Sequence, residues 1–162
     1  MNRHGPAHGR VHATEDSPPP RASSAETHRP LVDFEEVYGG DVDAIGVARK
    51  AVERALEPYV DDRRMSDVAL LVSELATNAL VHGKASHEKP FAVLAQLTPT
   101  ALRLEVHDQG PGFVVPEVPK PREIGGLGLV LVHQLSNRWG ADCSSGARVW
   151  LEMDGVYAAA EG

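Results

Sequence analysis

The sequence predicts an α/β sandwich, with helices packed on one face of a mixed, largely antiparallel sheet. Short stretches in which apolar and polar residues alternate mark strands, and two long stretches with apolar residues at 3.6-residue spacing mark helices. Their order, β-α-α-β-β-loop-α-β, includes two strands joined by a tight turn, which pairs them antiparallel. At 162 residues the chain suffices for one ordinary domain and a tail. Hydrophobic residues make up 42% and charged residues 24%, which supports a packed core and excludes wholesale disorder.

Residues 1–30 read as a disordered Pro/His-rich tail, carrying five prolines and half of the eight histidines. Such a segment buries too little apolar surface to offset its ordering entropy. His4, His8 and His12 stand four apart and would align as metal ligands on a helix, but Gly5, Pro6 and Gly9 oppose a helix there. Residues 31–38 read as a short strand ended by Gly39 and Gly40. Asp41 or Asp43 then caps a helix in which Ile45, Ala48, Val52, Ala55, Leu56 and Tyr59 keep the helical period, with Pro58 in its last turns.

A second helix is expected from Ser66 to His82, stopped by Gly83, and it is apolar over most of its length, hence buried on several sides. Residues 91–97 and 102–107 read as strands joined at Thr98-Pro99-Thr100. In the second, Leu102, Leu104 and Val106 alternate with Arg103, Glu105 and His107, the pattern of a half-buried strand. A Gly/Pro-rich stretch without periodicity, 109–126, precedes a third helix expected over 127–139 and stopped by Gly140. A last strand covers 148–153, with Val149, Leu151 and Met153 on one face. The ordered domain is expected over 31–155, with a C-terminal tail at 156–162.

Several function classes are excluded. No apolar run approaches the roughly 20 residues of a membrane-spanning helix, and the N-terminus has no apolar signal core. A single cysteine, Cys143, rules out an internal disulfide and fits a reducing compartment, so a soluble cytoplasmic protein is expected. The net charge of −7 and pI near 5.6 argue against a nucleic-acid-binding surface. No G-x-x-x-x-G-K-[ST] loop is present, and Gly126-Leu127-Gly128 lacks the third glycine of a dinucleotide fingerprint, which would fall at Leu131. His82, His87 and Glu88 do not form H-E-x-x-H, and one cysteine supplies no C-x-x-C, so a zinc site has no support.

Three features carry chemistry. Glu74 and Asn78 lie four apart, hence on one face of the second helix. A Glu in so apolar a helix is costly without a partner or a task, and a carboxylate with a neutral amide oxygen suits Mg²⁺-phosphate chemistry; the plainer reading is a narrow solvated stripe. Asp108-Gln109-Gly110-Pro111-Gly112 follows a strand, where glycines let backbone approach a ligand and a carboxylate accepts from an exocyclic amine; it also reads as an ordinary turn. Gly125, Gly126, Leu127 and Gly128 open the third helix, exposing backbone N–H groups as a phosphate site or forming a flexible helix start.

The order of these features makes the chain similar to a known family. SELATNALVHG, VHDQGPGF, GGLGLVLVHQLSNRWG and RVWLEM resemble the GHKL ATPases of gyrase, a heat-shock chaperone, mismatch repair and sensor histidine kinases. Within that superfamily they look most like the small anti-sigma-factor serine/threonine kinases. The resemblance covers about residues 34–153. It implies a Bergerat-type ATP-binding fold with ATP and Mg²⁺ as cofactors. Asn78 would be the metal ligand and Glu74 the catalytic carboxylate near the γ-phosphate. Asp108 would accept the adenine amine, Gly110 and Gly112 would shape the purine pocket, and Gly125, Gly126, Leu127 and Gly128 would meet the phosphates. Residues 109–125 would be a short ATP lid containing Pro116, Pro119 and Pro121. Its Lys120 and Arg122 are either phosphate contacts or solvated cations.

The implied function is a kinase that acts by partner switching, sequestering a sigma factor and phosphorylating a serine on an anti-sigma-factor antagonist. A homodimer is implied as well, with no direct contact to nucleic acid or membrane. One position departs from the family: Arg148 stands where a Thr usually precedes the Trp of the last strand by two residues. Arg either leaves the adenine pocket or meets the nucleotide differently. The alternative function is therefore a catalytically inactive binding module of the same fold that sequesters a regulatory partner. A sensor histidine kinase fragment would need a phosphoacceptor helical hairpin, which residues 1–30 do not resemble. His82, four residues after Asn78, orients the helix end or simply interacts with its free carbonyls.

Overall fold

The computed structural model describes residues 29–112 and 128–158. In chain order the elements are β1 (Val32–Tyr38), α1 (Val42–Leu56), α2 (Asp62–Val81), β2 (Phe91–Leu97), β3 (Ala101–Asp108), α3 (Gly128–Leu135), β4 (Arg138–Asp142) and β5 (Ala147–Asp154). The strands form one sheet in the order β1-β2-β3-β5-β4. Every pairing in it is antiparallel, so the expected mixed sheet is corrected to a fully antiparallel one among the described residues. The correction follows from β4, whose first two residues the sequence reading gave to the end of the third helix and whose Gly140 it took as the helix stop. Its hairpin with β5 reverses the chain once more after α3, and β5 returns to β3 antiparallel.

The third helix was expected to run over 127–139, but it ends at Leu135. Ser136 caps it by turning both its amide and its hydroxyl onto the Val132 carbonyl. The Asn137 amide then donates to the Glu152 carbonyl (2.8 Å), which starts the edge strand. Trp139 and Ala141 pack against the core from β4. The second helix starts at Asp62, four residues before its expected start at Ser66. Asp61 accepts from the Arg64 amide (2.9 Å), and the first turn, being polar, shows no periodicity. Of the two candidate caps for α1, Asp41 is the one used, accepting from the Ala44 amide at 2.8 Å.

The register puts Val93 opposite Val106, Val106 opposite Val149, and Leu104 opposite Leu151, so one sheet face is apolar. The helices α1 and α2 bury Ala48, Val52, Leu56, Val68, Leu71, Leu75 and Ala76 against that face, and α3 adds Leu129 and Val132. Because side chains alternate, the other face collects the polar residues. There Arg103 donates to Glu105 and Glu152 and stacks 4.5 Å over Trp150. Arg138 links Glu152 to Asp154. The Glu105 carboxyl is held down to about 2 by the His107 hydrogen bond and then by Arg103, against the opposing effect of burial.

The packed unit runs past the expected boundary at 155. Val156 is buried, Tyr157 bridges to Val60, and the Ala158 amide donates to the Tyr59 carbonyl at 2.8 Å. No helix among the described residues is long and apolar enough to cross a membrane.

Candidate functional site

Helix α2 carries Glu74 and Asn78 one turn apart and half-buried, between the buried Leu75, Ala76 and Ala79. Among the described residues neither side chain is committed to a hydrogen bond. What faces them is the start of α3. A Cβ at Gly128 would stand 3.0 Å from Asn78 Nδ2 and 3.1 Å from Glu74 Oε2. The polar pair therefore opens toward a helix N-terminus, whose first amides have no intrahelical acceptors. The fold thus brings Glu74, Asn78 and Gly128 together.

Asp108 ends β3, opposite Ala147 on β5. Its Oδ1 accepts from the Gly110 amide at 2.7 Å. Burial pushes its carboxyl up, while the Gly110 and Ala147 amides oppose the shift. The loop after it packs backbone against backbone: a Cβ at Gly110 would lie 2.5 Å from Gly83 Cα. Gly112 combines φ +74° with a position where a Cβ would lie 2.5 Å from Cys143 Cβ, so no other residue suits it.

Asn78 and Asp108 line one cleft, with Leu75, Val106, Leu129 and Val149 as its apolar wall. Five residues of helical rise, about 7.5 Å, separate Asn78 from Gly83 at the Asp108 end. The cleft thus has a metal-competent amide at one end and a desolvated acceptor at the other. His82, the C-cap of α2, lies at its rim, and its amide donates to the Asn78 carbonyl at 2.9 Å.

Arg148 leaves this cleft. It lies on the opposite sheet face, where its Nη2 donates to Asp142 Oδ2 at 3.3 Å, and Ala147 and Val149 line the cleft instead. The signal was available. Once Val149, Leu151 and Met153 point inward, strand parity puts Ala147 inward and Arg148 outward. The sequence reading also missed Gly83, Ala79 and Leu129 as lining residues; their apolar or glycine character carries no chemical signature. Gly125, Gly126 and Leu127 lie outside the described residues. So do lid residues 113–125, with Lys120 and Arg122, and the histidines of the N-terminal tail.

Residues 40–153 match the family model of the histidine kinase-like ATPase domain. The chain belongs to this family. The ATPase domain is also similar to two solved structures. One is the histidine kinase domain of the Erythrobacter litoralis EL346 blue-light-activated histidine kinase, at 24% identity over 68% of this chain and 59% of that one, with a TM-score of 0.41. The other is the histidine kinase domain of the E. coli osmosensor EnvZ, at 14% identity over 85% of this chain and 97% of that one, with a TM-score of 0.40. The chain spans about three fifths of the length of the first of these structures. No curated protein matches it.

Proposed function

We propose that this ATPase domain is an ATP-dependent serine/threonine protein kinase of the anti-sigma-factor type, regulating transcription by partner switching. The observation that supports it most is the uncommitted Glu74–Asn78 pair under the start of α3, of which Asn78 shares one cleft with Asp108. The donor set suits the nucleotide. Asp108 keeps an acceptor for an exocyclic amine, the apolar wall suits a purine, and Asn78 offers a neutral oxygen to Mg²⁺. When bound, Mg²⁺-ATP supplies the phosphoryl group and the charge neutralisation that its transfer requires.

The chain's own residues do the rest. Glu74 orients the acceptor hydroxyl and takes its proton, and the amides at the start of α3 add donors beside it. Asp108 sets which base is held, because a carboxylate accepts from an amine and repels a ring carbonyl. The sigma factor and the antagonist with its serine come from the resemblance of the motifs and are part of the proposal. The reading as an inactive binding module rested on Arg148 altering the adenine pocket, and Arg148 faces away from that cleft.

Calorimetry with ATP, with and without Mg²⁺, on the wild type and Asp108→Asn tests the pocket. Binding that depends on Mg²⁺ and on Asp108 is expected, and its absence in the wild type sinks the proposal. Transfer of labelled phosphate to a serine-bearing antagonist tests the reaction. Glu74→Ala is expected to abolish transfer and keep ATP; if it loses ATP as well, the role given to Glu74 is wrong.

A further inference from the structure

Helix α2 ends in an unusual way. The carbonyl of Asn78 takes the amides of His82 (2.9 Å) and Gly83 (3.1 Å), and the carbonyl of Ala79 takes the amide of Ala85 (3.1 Å). That last bond joins residues six apart, one more than the bond of a Schellman ending, and it closes a wide turn in which one residue takes the left-handed conformation that helix endings usually give to glycine. Here that residue is Lys84, at φ +52°. Gly83 stands one position earlier and is not among the described residues with positive φ. The glycine is therefore not where the backbone needs one, and a lysine bears the left-handed conformation that L residues disfavour.

What Gly83 supplies is space. A Cβ there would lie 2.6 Å from Asp108 Oδ1, and nearer still to Asp108 Cγ. From the other side, Gly110 rests on the Gly83 backbone, and the same Asp108 Oδ1 takes the Gly110 amide. A Cβ at Gly83 would also lie 2.5 Å from the Ala79 carbonyl, a second obstacle that the helix ending itself creates.

We propose that Gly83 is a positioning residue for nucleotide recognition: its missing side chain lets the end of α2 press directly on Asp108, so that the carboxylate has one orientation, with Oδ1 on the Gly110 amide and Oδ2 left for the base. The proposal rests on the reading of Asp108 as the base acceptor. It accounts for the direct approach of Gly83 to the Asp108 carboxylate, which the helix ending alone does not. It also ties both ends of the cleft to one helix, since Asn78, whose carbonyl anchors the ending, carries the metal-competent amide.

The test is a double-mutant cycle between Gly83→Ala and Asp108→Ala, with ATP affinity by calorimetry and Tm of the nucleotide-free protein as separate readouts. Gly83→Ala is expected to weaken ATP at least tenfold and to lower Tm. In the Asp108→Ala background the same change is expected to cost clearly less Tm, because the collision with the carboxylate is gone and only that with the Ala79 carbonyl remains. Lys84→Gly is expected to keep ATP affinity within twofold without lowering Tm, since relief of the left-handed lysine offsets the added chain freedom.

ATP affinity within twofold of wild type in Gly83→Ala overturns the proposal. So does an equal Tm loss in both backgrounds, which would make the Ala79 carbonyl the obstacle. If Gly83→Ala does not fold, the double variant is expected to fold, and its failure also overturns the proposal. A wild type that does not bind ATP, or an Asp108→Ala variant that binds as wild type does, brings down the base-acceptor reading itself. Normal binding by Gly83→Ala beside a defective Asp108→Ala leaves that reading standing and removes only the role of Gly83.

Discussion

Replacing Gly128 by alanine separates the stability of the α3 start from the chemistry beneath it. The new methyl would stand 3.0 Å from Asn78 Nδ2 and 3.1 Å from Glu74 Oε2, so both side chains must yield by a few tenths of an ångström. Both contacts are the far ends of side chains with rotatable bonds. An off-rotamer adjustment costs about 0.5–1.5 kcal/mol. Against it, alanine is favoured over glycine in a helix by up to about 1 kcal/mol. The two nearly cancel, and Tm is expected to stay within about 4 °C of wild type.

Binding does not cancel in this way. If Asn78 and Glu74 are pushed off the positions that face Mg²⁺-phosphate, one charge-assisted contact is lost, worth about 1.5–3 kcal/mol or roughly a ten- to hundredfold drop in affinity. Calorimetry with Mg²⁺-ATP beside thermal unfolding reads both quantities on one preparation. An unchanged affinity at unchanged Tm refutes the assignment of this face to the phosphates. A collapse of Tm shows instead that the packing of α3 on α2 has no slack.

Asp108→Asn is expected to lose ATP binding yet to stabilise the nucleotide-free protein at neutral pH. Burial raises the Asp108 carboxyl, so its contribution to stability is present at low pH and is lost as pH rises through the native pKa; a neutral amide avoids that loss, and thermal scans at pH 7 decide. Glu105→Gln works in the opposite sense. The Glu105 carboxyl is lowered from 4.5 to about 2, so its stabilisation is in place above about pH 4.5 and fades as pH falls toward 2. Urea unfolding is expected to show the variant about 2 kcal/mol less stable at pH 7 and equal to wild type near pH 2; the same gap at both ends refutes the account. Asp41→Ala removes the cap of α1 and is expected to cost about 1 kcal/mol, read as a lower denaturation midpoint with ATP affinity unchanged.

The sequence by itself determined the elements whose order is periodic and whose ends are chemically marked. Alternation along Leu102, Leu104 and Val106 identified β3, the helical period identified α1 and α2, and Asp41 was one of two candidate caps. Glu74 was legible as a site candidate because a carboxylate in so apolar a helix is costly without a partner or a task, Asn78 because it shares that helix face, and Asp108 because spaced glycines follow it at a strand end. The lining of the cleft was less so, since alanine, leucine and glycine read alike in a core and in a pocket.

Tertiary structure decided whatever depends on partners distant in the chain. Residues 138–142 are a strand because β5 offers them hydrogen bonds and because Trp139 packs against the core; alone, Arg138 and Trp139 look like the end of a helix and Gly140 like its stop. That strand sets the direction of β5 and hence the antiparallel sheet. Gly83 read as a helix stop, because local rules put glycine there for its backbone freedom. The folded chain uses it for the room it leaves beside Asp108, 25 positions further along. Local periodicity and capping act over a few residues and are written in any short window. Register and steric clearance join distant segments and exist only once the sheet has closed.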